Sequence, residues 1–260
     1  MKVLFIGDIV GEPGRKTLRK GLLKLIEQYK IDFVIANVEN AAGGFGITKT
    51  VCEEIFSLGV GVLTSGNHIW DKKEAVAYIA EENRLLRPAN YPEGVPGCGS
   101  IVVITSSGEK IAVLNTSGRV FMSQMDCPFK VSKKEISKLK EQTKVIIVDF
   151  HAEATSEKSA FGWFLDGEVS AVIGTHTHVQ TADEKILPKG TAFITDVGMT
   201  GPTNSIIGVK KEQIIKKFLT NMPARFETAK GTTIISAVVI DIDLKSGLSN
   251  NIQRLQVEFS

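Results

Sequence analysis

Cysteine is scarce in this 260-residue chain. Cys52, Cys98 and Cys127 are odd in number and far apart, which excludes a disulfide framework and any C-x-x-C metal or redox motif, and leaves reduced thiols in a cytoplasmic protein as the expectation. Long apolar runs are missing too. Stretches such as Val60–Leu63 and Val145–Val148 fall far short of the ~18–20 residues that span a bilayer, so no transmembrane helix or membrane association is expected. The apolar stretch within Met1–Ile6 is too short for a signal-peptide core and meets Asp8 at once. Excess charge is nearly absent: 31 basic and 29 acidic side chains give +2. That balance excludes a generic coat for DNA or membranes, and no long nucleic acid is expected as a partner; a small anionic substrate remains open.

What is present is an ordinary globular composition, 43% hydrophobic and 23% charged, with length enough to bury roughly 70–75% of the unfolded surface. Strand-like runs at Lys2–Gly7, Asp32–Val38 and Val60–Ser65 alternate with helical patterns at Gly14–Tyr29, Thr48–Leu58 (Thr48 as N-cap) and Lys72–Asn83, the signature of a parallel or mixed sheet covered by helices. Further along, Ser100–Thr105 and Lys110–Thr116 read as a hairpin. Ser132–Gln142 reads as a helix, and Lys144–Phe150, Ser170–Gly174 and Thr191–Asp196 as strands. Thr232–Leu244 and Asn251–Phe259 are strand runs around a Lys-Ser-Gly turn. With no repeat or linker, the expectation is a single domain over residues 1–260, with two mixed sheets and flanking helices.

The residues that follow these strands are the informative ones: Asp8; Glu39-Asn40; Gly66-Asn67-His68; His151; and Thr175-His176-Thr177-His178. In open α/β sheets the carboxyl ends of strands line the ligand crevice. The chain has only four histidines, and all of them follow such a strand. His68 or His151 alone would more often be a packed side chain. The pair His176-x-His178 is a stronger signal, because residues two apart on an extended segment point the same way. The donor inventory is two carboxylates, two amide oxygens and three or four imidazoles, without a thiolate. That set is too large for one tetrahedral zinc and suits two ions about 3.5–4 Å apart. Mixed oxygen and nitrogen donors favour manganese, iron, zinc or cobalt.

The strings Gly7-Asp8-Ile9-Val10-Gly11, Asn37-Val38-Glu39-Asn40, Thr64-Ser65-Gly66-Asn67-His68, Asp149-Phe150-His151-Ala152-Glu153 and Gly174-Thr175-His176-Thr177-His178-Val179 resemble, in this order, the calcineurin-like metallophosphoesterase superfamily, and more narrowly its YmdB-like branch of bacterial cyclic-nucleotide phosphodiesterases. The resemblance implies a four-layer α-β-β-α sandwich. It implies a first metal on Asp8, Asn40 and His178, a second on Asn67, His151 and His176, and Glu39 bridging them. His68 would sit beside the site and protonate the leaving oxygen or stabilise the phosphate. The superfamily's usual Asp-x-His becomes Asp8-Ile9-Val10, and its bridging aspartate becomes Glu39 followed by Asn40. The amide in place of an imidazole hardens the first site and tilts the metals toward iron, then manganese, with zinc third.

The function so implied is hydrolysis of small cyclic nucleotides, the 2′,3′-cyclic type among them, by in-line attack of a hydroxide bridging the two ions. The alternatives are a phosphomonoesterase or nuclease on the same centre, and a nucleotide-sensing regulator without turnover. A homo-oligomer is compatible with the sequence. Gly11-Glu12-Pro13-Gly14-Arg15-Lys16-Thr17 fails as a P-loop, because Arg15 stands where the lysine should, and no G-x-S-x-G elbow supports a serine hydrolase. Ala41–Gly46 fits both a turn and a gating loop. Asp71 fits both an orienting partner for His68 and a helix N-cap. Glu153 and Ala154–Ser159 fit a pocket rim. Arg15, Arg87 and Arg119 fit phosphate contacts or surface charges. Phe121, Met122 and Phe129 fit a cap over the site or a subunit contact.

Overall fold

The computed structural model describes residues 1–260. Two mixed sheets stack face to face. The first holds β1 (Lys2–Ile6), β2 (Asp8–Ile9), β3 (Phe33–Asn37), β4 (Val62–Thr64), β11 (Met199–Pro202), β12 (Thr233–Ile242) and β13 (Ser249–Phe259), in the order β2-β11-β12-β1-β3-β4 with β13 beside β12. The second runs β5-β6-β7-β8-β10-β9, from β5 (Ser100–Ile104), β6 (Lys110–Ser117), β7 (Ile146–His151), β8 (Ala171–Thr175), β9 (Lys185–Ile186) and β10 (Ala192–Ile194).

The strand period of two sorts side chains between layers. On β1, Val3 and Phe5 enter the core between the sheets, beside Ile147 and Ile173, whereas Leu4 and Ile6 enter a second core. That second core is closed by α1 (Gly11–Tyr29), α2 (Lys49–Ser57) and α3 (Lys73–Glu81). A third core lies under α4 (Pro128–Lys140) and α5 (Thr155–Phe164), where Phe150 stacks on Phe161 at 3.9 Å between centroids. Three apolar cores between four layers make the α-β-β-α sandwich.

Most expected elements are present, including the β5–β6 and β12–β13 hairpins and the Thr48 cap, whose hydroxyl accepts from the Val51 amide. Two expected boundaries move. α1 begins at Gly11, so Pro13 lies inside its first turn, where its missing N–H costs no helical bond. α4 begins at Pro128 rather than Ser132 for the same reason, a proline in the first turn. Five elements have no counterpart in the sequence reading: α5, α6 (Lys211–Thr220) and the short strands β2, β9 and β11. The strands are too short for a periodic signal. α6 buries only Ile214, and so has almost no apolar face to read.

Candidate metal and phosphate site

β1, β3 and β4 run parallel, as do β7 and β8, so each sheet delivers its strand ends to one edge. The residues that follow meet there. His151, at the end of β7, is wholly buried. Its Nδ1 donates to Thr175 Oγ1 at 2.9 Å, and that hydroxyl in turn donates to Asp149 Oδ1 at 2.7 Å. The other ring nitrogen, Nε2, lies 3.0 Å from Asn67 Oδ1, 3.1 Å from Glu39 Oε1 and 3.0 Å from His176 Nδ1. One N–H cannot serve three acceptors. A neutral His151 would turn a lone pair toward three others, so the arrangement requires a positive charge at its centre, a proton or a metal ion.

A second group adjoins the first. Asp8 Oδ1 is buried and has no hydrogen-bond partner. It lies 3.9 Å from His178 Nε2, which is itself 3.1 Å from the Asn40 amide. An orphaned carboxylate oxygen at full burial is costly unless a cation compensates it. Turning the Asn40 amide over would place its oxygen among these groups as a further donor. Glu39 touches both groups: Oε1 meets His151 and the Asn40 amide, and Oε2 accepts from the His68 backbone N–H at 3.1 Å. Asp8, Glu39, Asn40, Asn67, His151, His176 and His178 therefore gather in two adjoining sets that share Glu39. The donors, oxygen and imidazole nitrogen without sulfur, fit borderline or hard divalent and trivalent ions.

The backbone is shaped for this gathering. A Cβ on Gly66 would lie 2.2 Å from His151 Nε2 and 2.4 Å from Glu39 Oε2, so any side chain there would fill the cradle. His176 and His178 adopt positive φ, 100° and 65°, which non-glycine residues hold only when the surroundings force it. The backbone here is pinned on both sides: the His176 N–H donates to Asp8 Oδ2, and the Thr177 N–H to Asp196 Oδ2, which also accepts from the buried ammonium of Lys158.

Charge inside this knot follows from burial and pairing. Burial works against the Glu39 carboxylate, but His151 beside it holds its pKa down to about 2. His151 is raised to about 9, Glu39 and Asp8 outweighing burial. Burial and the His151 charge push His176 down to about 3. Burial raises Asp149 to about 6, against the pull of His151 and two threonine hydroxyls.

His68 lies at the rim with its side chain 30% exposed. Its Nδ1 is 2.8 Å from Asp71 Oδ2, which leaves Nε2 for the cavity, and its ring meets Phe45 edge-on at 5.1 Å. Asp71 is thus a partner for His68 and caps no helix; the α3 N-cap is Lys72. Ala41–Gly46 is a tight turn closed by an Ala42 N–H to Gly46 carbonyl bond, braced by the Arg15 guanidinium on the Ala41 carbonyl, and it places Gly43, Gly44 and Phe45 in the cavity wall. Arg15 also pairs with Glu54, and Arg87 is spent on the carbonyls of Val95, Pro96 and Pro88; neither is free for phosphate. Arg119 is exposed and unpaired but lines no part of this cavity. Phe129 packs on Phe161 and Phe164, Met122 against the same core, and Phe121 stands in solvent, so none of them caps the site.

Sequence reasoning missed Asp149, Asn37 and Lys158. Asp149 accepts from Asn37 Nδ2 at 3.0 Å and from Thr64 Oγ1 at 2.5 Å, joining both sheets directly under the metal-ligand candidates. The available signal was a polar residue inside an apolar strand run, Asp149 in Val145–Phe150 and Asn37 in Asp32–Val38.

The sandwich and the site at its strand ends define a metallophosphoesterase-type α/β protein. The chain belongs to the YmdB-like protein family, which it matches over residues 4–255. It is 50% identical over 257 residues to the 2′,3′-cyclic-nucleotide 2′-phosphodiesterase of Bacillus subtilis (strain 168), covering 99% of this chain and 97% of that protein. A crystal structure of a hypothetical protein from Thermus thermophilus superimposes with a TM-score of 0.92 at 41% identity, over 99% of both chains. A crystal structure of a novel phosphatase from Mycoplasma pneumoniae gives a TM-score of 0.93 at 36% identity, over 99% of this chain and 93% of that one.

Proposed function

We propose that this protein is a metal-dependent phosphodiesterase acting on small cyclic nucleotides of the 2′,3′ type. The observation that carries the metal requirement is the convergence of Asn67, Glu39 and His176 on one buried nitrogen of His151, beside the orphaned Asp8 Oδ1. The substrate class rests on the 50% identity to the Bacillus subtilis enzyme along nearly the whole chain. In this reading Asp8, Asn40 and His178 would hold one ion and Asn67, His151 and His176 the other, with Glu39 shared between the two sets. When bound, such a pair, iron or manganese before zinc, would supply Lewis acidity toward the phosphoryl group and toward water. The chain's own residues do the rest. Asp149, through Thr175, fixes the His151 ring so that Nε2 is the donor nitrogen. His68, held by Asp71 through Nδ1, gives its Nε2 proton to the departing ribose oxygen.

The whole chain works as a single domain, because residues of both sheets build the site. The three cysteines are unpaired, in keeping with a reducing, cytoplasmic setting, and no helix is long and apolar enough to cross a membrane.

Glu39→Gln tests the reading. Turnover of 2′,3′-cyclic AMP and of bis-p-nitrophenyl phosphate should fall by at least about 100-fold with the circular dichroism spectrum unchanged, and metal content measured by elemental analysis should drop. A near-normal rate would remove Glu39 from its bridging role. Because the Mycoplasma pneumoniae structure is described as a phosphatase, p-nitrophenyl phosphate belongs in the same assay; faster turnover of the monoester would make this a phosphomonoesterase.

A further inference from the structure

The cavity of about 300 Å³ that opens on the site has two chemically different ends. One holds Glu39, Asn40, His68, His176 and His178. The other is lined by Val10, Ile207, Val209, Ile214 and Phe226, with Glu227 and Thr228 following Phe226, while Phe45 lines the cavity beside His68. Phosphate and ribose have no use for an apolar wall. We infer that this apolar end is a nucleobase subsite, which seats the base of a mononucleotide while its cyclic phosphate lies at the polar end. The inference deepens the phosphodiesterase reading and rests on it for the position of the phosphate.

Three observations lead here. The first is size. The volume sits at the lower end of the ~300–1,000 Å³ typical of small-molecule sites, which is room for one nucleotide.

The second is strain at the junction of the two ends. Ile207 is β-branched yet has φ of 46°, a conformation such residues almost never adopt. It is held there by the Ile206–Val209 bridge and by the Gly208 N–H bonded to Ser205 Oγ. In that pose its carbonyl accepts from His178 Nδ1 at 2.9 Å, and its half-exposed side chain lines the apolar end. One strained residue thus sets the distance between a metal-ligand candidate and the apolar wall. Strain of this kind persists where function requires it.

The third is the origin of the wall. Ile207, Val209, Ile214 and Phe226 all come from the excursion between β11 and β12 that carries α6. α6 buries no residue but Ile214, so this excursion contributes little to the core and much to the cavity. The Phe226 ring is partly exposed, with the Lys217 ammonium 5.0 Å from its centroid. Phe45, beside His68, also lines the cavity, and aromatic rings of this kind are surfaces on which bases stack.

The test compares two esters with the metal-loaded enzyme: 2′,3′-cyclic AMP and the base-free methyl riboside 2′,3′-cyclic phosphate. Phe226→Ala removes the ring. Ile207→Gly removes the side chain, keeps the carbonyl that His178 needs and suits the positive φ. Wild type should prefer the nucleotide, and each variant should cut the ratio of the two kcat/KM values by about tenfold, chiefly through KM. Adenosine, which has no phosphate, should bind wild type in a calorimetric titration and bind both variants at least about fivefold more weakly.

A variant that loses rate equally on both esters has a structural defect and overturns the subsite, as does adenosine that fails to bind or binds all three proteins alike. If neither ester is hydrolysed but adenosine binds wild type and discriminates against the variants, the subsite stands and the phosphodiesterase reading falls.

Discussion

On the proposed reading, His151 is the residue on which proton and metal would compete. An unfolded histidine titrates near 6.5, whereas His151 in the metal-free fold is raised to about 9. Protonated His151 therefore stabilises the metal-free protein fully below about pH 6.5, and this contribution is lost as pH rises through 9. Asp149, raised to about 6, is largely ionised across that window and changes little within it. A cation needs the neutral ring. The rise in Tm on adding manganese should therefore be smaller near pH 7, where Asp149 is already ionised, and grow toward pH 9, as read by scanning calorimetry. An increment that shrinks over that range would remove His151 from the ligand set. Glu153 acts one bond further out. Its Oε2 is 2.9 Å from His176 Nε2, while Nδ1 of the same ring faces His151. A carboxylate on the outer nitrogen orients a ligating imidazole and raises its basicity, and loss of such a partner typically weakens metal binding 10–100-fold. Glu153→Ala should lower metal affinity by about tenfold in a chelator competition, and Glu153→Gln, which still accepts the N–H, should restore part of it.

At the scale of elements, α5 shows what the sequence pattern could and could not reveal. Alternating strands and helices in the first half, the hairpins, and the polar residues after each strand were legible because each carries a period or a position that chain chemistry enforces. Asp8, Glu39, Asn40, Asn67, His68, His151, His176 and His178 could be singled out from one row of letters for that reason. α5 was not legible: Thr155–Phe164 mixes buried Glu157 and Lys158 with partly exposed Trp163 and Phe164, so polarity does not report its faces. The reason is functional. Lys158 turns inward to donate to the Thr175 carbonyl at 2.6 Å, directly before His176, and to Asp196 Oδ2 at 2.5 Å, which also accepts from the Thr177 N–H between the two histidines. Glu157 accepts the backbone N–H groups of Arg119 and Val120, anchoring the chain after β6. Breaking a buried ion pair by removing one partner leaves the other charge uncompensated and costs about 3–5 kcal/mol. Lys158→Met should lower stability to urea by about that amount, and Lys158→Met with Asp196→Asn should recover part of it, since the second change removes the stranded charge.

For the molecule as a whole, the site could not exist on either sheet alone. Asp8, Glu39, Asn40, Asn67 and His68 follow strands of the first sheet, and His151, His176 and His178 those of the second. The two sheets also share a core in which Val3, Phe5, Ile35 and Val238 of one meet Val113, Ile147, Ile173 and Ile194 of the other, and the buried Asp149 ties Asn37 and Thr64 to Thr175 across the same gap. Separating the sheets would expose that core and take from Asp149 the bonds from Asn37 and Thr64, leaving it only Thr175 of its own sheet, so the two halves have no independent folded state to fall back on. Thermal unfolding should accordingly be a single transition, with the calorimetric enthalpy equal to the van't Hoff value. Manganese bound at the shared edge should raise that transition as a unit, since a ligand that binds only the native state stabilises everything that unfolds with its site. Two resolved transitions, with only one moved by the metal, would show that the sheets are separate cooperative units and that the single-domain reading of residues 1–260 is wrong.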